Sequence, residues 1–214
     1  MMTQTHTLIA ASLLTDSHQS ARYNLAVLCG SFVPDIALYG LFFWSKLAGI
    51  EERLIWEEVY FSEPMLTYTA VVNSLPLYLV LFFVGILLTR QRYNVSFNTH
   101  SVTWFSKLRE RIFGSMLCLF SVAAISHLLA DFPVHADDAH PHFWPFTDWR
   151  FYSPVSYWDH AHYGDLFRYI ESFLGVVLSA ILFRRFLFMW VRVALMIAVF
   201  AYILVPMYFA LKLG

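Results

Sequence analysis

Charge is scarce in this sequence. Lys and Arg number 14 and Asp and Glu 15 among 214 residues, so only 14% of the chain is charged, against roughly a quarter in ordinary soluble domains. Neither sign dominates. A net charge of −1 leaves no basic footprint for gripping phosphate backbones, which argues against a nucleic-acid partner. Cysteine is nearly missing as well. Cys29 and Cys118 both fall in apolar stretches, so they read as small buried hydrophobes and not as a disulfide or a metal pair. No Gly/Ser linker, internal repeat or low-complexity tract divides the chain, and its length suits one domain over residues 1–214. There is no H-E-x-x-H, G-x-S-x-G, P-loop or G-x-G-x-x-G, which argues against a zincin-like protease, a nucleophile-elbow hydrolase and a nucleotide binder. The opening "MMTQTHTLIAASLLTDSHQSAR" lacks a basic start and a clean apolar run, so it is expected to be retained and not cleaved as a signal peptide.

What the sequence does have is apolar length. It is 59% hydrophobic and 19% aromatic, with a mean hydropathy of +0.58. A bilayer is crossed by about 20 apolar residues in a helix. Five stretches qualify, at 22–45, 69–89, 112–131, 168–185 and 188–211. The first 16 residues form a shorter apolar helix that re-enters the membrane without spanning it. The expected fold is therefore all-α: a polytopic helical bundle with about five transmembrane helices, a short N-terminal re-entrant helix and an aromatic flap.

Basic residues set the orientation. Arg90, Arg92, Lys107, Arg109 and Arg111 mark 90–111 as cytoplasmic, and Arg22, Arg184 and Arg185 fall on the same side. His18 and His100 read as surface residues there. The acidic segment 45–68 and the histidine-rich segment 132–167 then face outward. Prolines 133, 141, 145 and 154 forbid a long helix in the latter. With its tryptophans and tyrosines it reads as a flap over about 132–165, lying at the interface.

Ionisable groups inside apolar spans are costly and mark function by default. Here they are Asp35, His127, Asp131 and Glu171, with neutral Asn73, and His6 on the short first helix. Measured from the basic ends at about 1.5 Å per residue, His6, Asp35, Asn73, His127 and Glu171 all rise roughly 17–25 Å. They converge at one depth, in the outer leaflet. Pro34 precedes Asp35 and Pro76 follows Asn73. Each removes a helical N–H, and the kink opens room for a site. His127 and Asp131 are four apart and share a helix face, and an imidazole with a carboxylate suits zinc or a similar divalent ion. With His6 and Asp35 at the same level, the candidate metal set is His6, Asp35, His127 and Asp131. His135, His162 and Glu171 are candidate general acid–base groups or extra ligands. Asp137 and Asp138 read as a solvated turn, and His140, His142 and His160 as surface residues.

Four blocks, "THTLIAASLL", "LCGSFVPDIALY", "YFSEPMLTYTAVVNSL" and "SHLLADFPVHADDAHPHFWPFTDWRFYSPVSYWDHAHYG", resemble a bacterial inner-membrane family described as membrane-bound metal-dependent hydrolases. The resemblance covers about residues 5–172. That family is distantly similar to zinc-dependent phospholipases C and single-strand nucleases, helical proteins with a trinuclear zinc cluster. It implies an inner-membrane location, a divalent metal such as zinc at His6, Asp35, His127 and Asp131, and a lipid or lipid-linked phosphoester as partner. One departure stands out. Where the family carries a histidine-containing "THS" motif, this chain has Asn73-Ser74, which implies a smaller cluster. The alternative reading is a non-catalytic structural or accessory membrane protein with a degenerate metal site.

Overall fold

A computed structural model describes residues 1–93 and 104–213, with side chains described outside residues 90–107, 205, 206 and 208–214. His100 and the side chains of Arg90, Arg92 and Lys107 thus lie outside the described residues. The described part is all-α, and no strand occurs in it. The helices are α1 (Thr3–Leu14), α2 (Ala21–Phe32), α3 (Ile36–Leu47), a single turn α4 (Glu52–Leu54), α5 (Glu63–Val72), α6 (Leu75–Tyr93), α7 (Trp104–Phe113), α8 (Met116–Asp131), α9 (Gly164–Arg185) and α10 (Met189–Leu213).

Four apolar stretches are long enough to cross a membrane: Ala21–Leu47, Glu63–Thr89, Met116–Val134 and Gly164–Arg185. Much of their surface is bare hydrocarbon, as at Phe43, Trp44, Phe83, Leu88 and Phe173. In water such patches would be costly; lipid tails accept them. The fifth expected span falls on α10 (Met189–Leu213), whose apolar stretch among the described side chains is Met189–Leu204. The second span begins at Glu63 and not at residue 69, because α5 and α6 join across a short break into one apolar rod.

Both expected proline devices are visible, and both coincide with polar residues. Val33–Asp35 forms a 3-10 turn between α2 and α3, with Pro34 in its first positions. Asn73 ends α5, and Pro76 sits in the first turn of α6, where its missing N–H costs nothing. Ser74 Oγ accepts from the N–H of Leu77 at 3.2 Å and restarts the helix.

α8 is the central post. It packs on α2, α6, α1 and α7, with α9 and α10 pairing beside α1. The α2–α8 contact is as close as backbones allow. A methyl group on Gly30 would overlap the backbone carbonyl of Phe120. Small residues at a crossing are how membrane helices approach without a hydrophobic driving force between them. This crossing sets His127 of α8 against the end of α2.

One end of the bundle is basic. Arg185 Nη1 donates to the carbonyls of Ala11 at 3.2 Å and Thr15 at 2.9 Å, capping the C-terminus of α1. Gln19 Nε2 donates to Phe113 O at 2.9 Å beside it. The opposite end carries the flap. Its backbone pairs with itself, Ser153 N–H to His135 O at 2.9 Å and Tyr157 N–H to Val134 O at 3.0 Å. Phe146, Tyr152 and Trp158 are exposed on it. Cys118 is buried as expected, whereas Cys29 is exposed. It stands on an outward face of α2, where neighbouring Leu25, Leu28 and Phe32 are also exposed.

Candidate metal centre

Asp131 is the hub of the polar cluster. It sits at the last residue of α8, 3% exposed. A carboxylate so buried needs compensation from every side. His6 Nε2 lies 3.1 Å from Oδ1, where the amino group of Met1 also lies at 2.7 Å. His135 Nε2 lies 2.8 Å from Oδ2, and His127 Nε2 3.9 Å from it. Asp35 closes the ring, its Oδ1 3.5 Å from His127 Nε2. Its Oδ2 accepts from Thr3 Oγ1 at 2.5 Å.

His127 decides what such a cluster can do. Its Nδ1 lies 2.7 Å from the carbonyl oxygen of Ser31, at the end of α2. A carbonyl only accepts, so Nδ1 carries the hydrogen. In the neutral ring the lone pair is then on Nε2, which faces the two carboxylates and has no hydrogen-bond partner. A backbone carbonyl behind a histidine, with the other nitrogen bare, is the arrangement of a metal-ligating imidazole.

His135 resembles it. Both ring nitrogens have close carboxylates, Nε2 Asp131 and Nδ1 Asp138 at 2.9 Å. Neither contact meets the angle of a hydrogen bond. The atoms gather around shared points without aiming N–H groups at one another. Two sets place one ligand atom from each residue within 4.8 Å of the others: His6, His127 and Asp131, and Asp131, His135 and His140. Either set could hold a metal ion, and Asp131 is common to both. The donor chemistry, imidazoles with carboxylate, fits zinc and similar divalent ions.

Outside the spans, the charge states follow from position. His135 is buried, which disfavours its charged form, but Asp131 and Asp138 outweigh burial and push it up to about 9. His140 is driven down to about 3, first by burial and then by the neighbouring His135. Asp138 is likewise opposed by burial and held below the usual carboxylate range by His135.

The structure brings the expected metal set, His6, Asp35, His127 and Asp131, together with His135, one of the three candidate acid–base groups. It does not bring in the other two. His162 is half-exposed at the turn before α9, with Nδ1 2.6 Å from Asp159 Oδ2. Glu171 is buried on α9, but its Oε1 accepts the backbone N–H of Met2 at 2.7 Å, behind the first turn of α1. Asn73 stands at the wall of the site. Its Nδ2 donates to Thr69 O at 3.0 Å and Pro34 O at 3.3 Å, tying the two helix breaks to each other. Asp138 and His140 are the residues the sequence reading missed. They belong to an irregular loop, and only their density beside Asp131 hinted at a role.

No family model, curated protein or solved structure matches this chain. The reading of the site therefore rests on its own geometry. A cavity of about 950 Å³ opens from it, lined by Asp35, Asp131, His135, Asp138 and His140 on one side. Leu38, Tyr39, Trp56, Tyr60, Phe61 and Trp158 also line it. It lies at the upper end of the range for ligand pockets.

Proposed function

We propose that this protein is a membrane-bound, metal-dependent hydrolase of phosphoesters. It would lie in a bacterial inner membrane with its site in the outer leaflet. The observation that carries this reading is His127: Nδ1 fixed on Ser31 O and Nε2 bare, facing Asp35 and Asp131. His6, Asp35, His127 and Asp131 would hold a divalent ion, zinc in the first instance. When bound, the ion supplies Lewis-acid polarisation of a phosphoryl oxygen and lowers the pKa of water.

The remaining chemistry belongs to the chain. His135 faces the cavity between Asp131 and Asp138 and can hold or pass a proton at Nε2. His140, kept neutral by burial and by His135, offers a ring nitrogen to the second ligand set. Met2 and Thr3 anchor the start of α1 to Glu171 and Asp35 and so fix His6. Depth favours a lipid or lipid-linked phosphoester over a soluble metabolite.

The test is elemental analysis of the purified protein beside a His127→Ala/Asp131→Ala variant, together with a phosphomonoester and phosphodiester assay. Near-stoichiometric metal in the parent and its loss in the variant are expected. Equal, sub-stoichiometric metal in both would overturn the reading. The alternative, a non-catalytic protein with a degenerate site, draws on Asn73, whose amide is spent on helix carbonyls. It expects no turnover in the parent, and loss of stability without any effect on the phosphoesterase assay in the variant.

A further inference from the structure

The first transmembrane span changes partners halfway. Below the 3-10 turn at Val33–Asp35, α2 packs on α8 and α1. Above it, α3 packs chiefly on α5 and the π-turn at Ile55–Val59. α9, on the other side of the site, packs on α10 and α1. At the level of the site the first span and α9 are bridged by the start of α1. Met2 N–H donates to Glu171 of α9, Thr3 Oγ1 donates to Asp35, and Tyr39 OH donates to Thr3 at 3.1 Å.

The cavity reaches this place. Gln4 and Leu38 both line it. Gln4 is exposed and Leu38 half-buried, so the cavity has an opening at membrane depth where α1 begins. It has a second opening of different character. Arg53, Glu57 and Asp137 line it and are exposed toward the acidic outer segment and the flap. One mouth is polar and the other lies among apolar helices, with the His/Asp cluster between them.

We infer that the cavity receives a lipid-linked phosphate sideways from the bilayer: its phosphate lies at the Asp131 cluster and its hydrocarbon chain leaves along α3, over Gln4 and beside Leu38. The polar mouth serves water and the released headgroup. This rests on the proposed metal-dependent hydrolase for the phosphate end only; the chain end stands on the two mouths. A soluble phosphoester would need the polar mouth alone.

The experiment reads the chain seat without relying on turnover. Leu38→Cys, and as a control Phe43→Cys on the lipid-facing side of α3, are made in a Cys29→Ala/Cys118→Ala background and placed in phosphatidylcholine nanodiscs. A membrane-soluble maleimide labels them with or without dodecyl phosphate or glycerol phosphate, in zinc-loaded and chelated protein. Zinc content is measured in parallel. Dodecyl phosphate at about ten times its half-saturating concentration is expected to slow labelling at position 38 about tenfold, with glycerol phosphate and position 43 silent. Protection confined to zinc-loaded protein supports both the chain seat and the metal centre. Protection that persists after chelation supports the chain seat and counts against the metal reading. No protection by dodecyl phosphate, or equal protection by glycerol phosphate, overturns the lateral route whatever the zinc content, which by itself decides the other reading.

Discussion

The imidazole rings of His6 and His127 stack with centroids 3.6 Å apart and planes 18° from parallel. Both Nε2 atoms approach Asp131, at 3.1 and 3.9 Å. Two protonated imidazoles in this position would repel each other in a site that excludes water. His6 Nε2 is hydrogen-bonded to that carboxylate, whereas His127 Nε2 has no hydrogen-bond partner, and both nitrogens stand where one ion could be shared. α1 and α8, distant in sequence, are held in register for that stack by Arg185 at one end of α1 and by Glu171 and Asp35 at the other.

Asp131 belongs to both ligand sets. Asp131→Asn keeps the size and removes the charge. It is expected to abolish stoichiometric zinc binding, whereas His140→Ala, which touches one set only, leaves at least one ion bound. Elemental analysis after dialysis checks this; retention of full zinc by the Asp131 variant would remove the hub from the account.

Asp138 stands behind His135. Partners of a ligating histidine set its orientation and basicity, and their loss typically costs about 10–100-fold in metal affinity. Asp138→Asn should weaken zinc binding by that order in a competition titration with a chromophoric chelator. An unchanged affinity would mean that His135 does not ligate.

In chelated protein, His135 carries a proton held by Asp131 and Asp138, with His140 and Tyr157 as its ring neighbours. Its folded pKa, about 9, lies above the usual 6.5. A raised pKa stabilises the fold fully below the ordinary value, and that contribution fades as pH rises through the folded one. Thermal unfolding of chelated protein should therefore shift downward between about pH 6.5 and 9. The slope should flatten in His135→Gln; an identical slope in both proteins would assign it to other groups.

The lining of the cavity includes Asp35, Glu57, Asp131, Asp137 and Asp138, with Arg53 as the only Arg or Lys among the described residues. Arg53 already pairs with Glu57 at 2.8 Å. An anion meets net repulsion there until cations are bound. Calorimetry with inorganic phosphate should show binding to zinc-loaded protein and none after chelation. Binding to the chelated form would separate anion capture from the metal.

Gly30 lets α2 and α8 touch, and a side chain there meets backbone that cannot turn aside. Gly30→Ala should cost about 1–3 kcal/mol, the usual scale of overpacking. It should also lower zinc affinity, because the displaced helices carry Ser31 and His127. Unchanged melting in detergent would mean that the crossing has slack.

Helical regularity made much of the centre legible. A constant rise per residue carries Asp35, His127 and His6 to one level from their basic ends, and a period of 3.6 puts His127 and Asp131 on one face. That logic stops at Val134. Beyond it the chain has no period, so nothing in the spacing of Asp138 and His140 announces that the flap turns them back toward Asp131. The same limit misdirected Glu171. It reaches the right depth, but depth does not fix rotation about the helix axis, and its carboxylate meets Met2 instead. Cys29 shows the converse case. On a helix apolar on every side, a residue facing lipid and one facing a neighbour look alike in sequence.

The break between α5 and α6 has a consequence in time. Its free groups are met by the flap: Leu75 N–H donates to His142 O at 2.8 Å, and Ser74 Oγ donates to Trp144 O at 2.6 Å. Those partners are 67 to 70 positions downstream and are translated only after α8 has been made. During biogenesis the second span must wait in the bilayer with an unfinished joint. The same segment that completes it delivers His135 and His140, so maturation of that helix and assembly of the site become one late event.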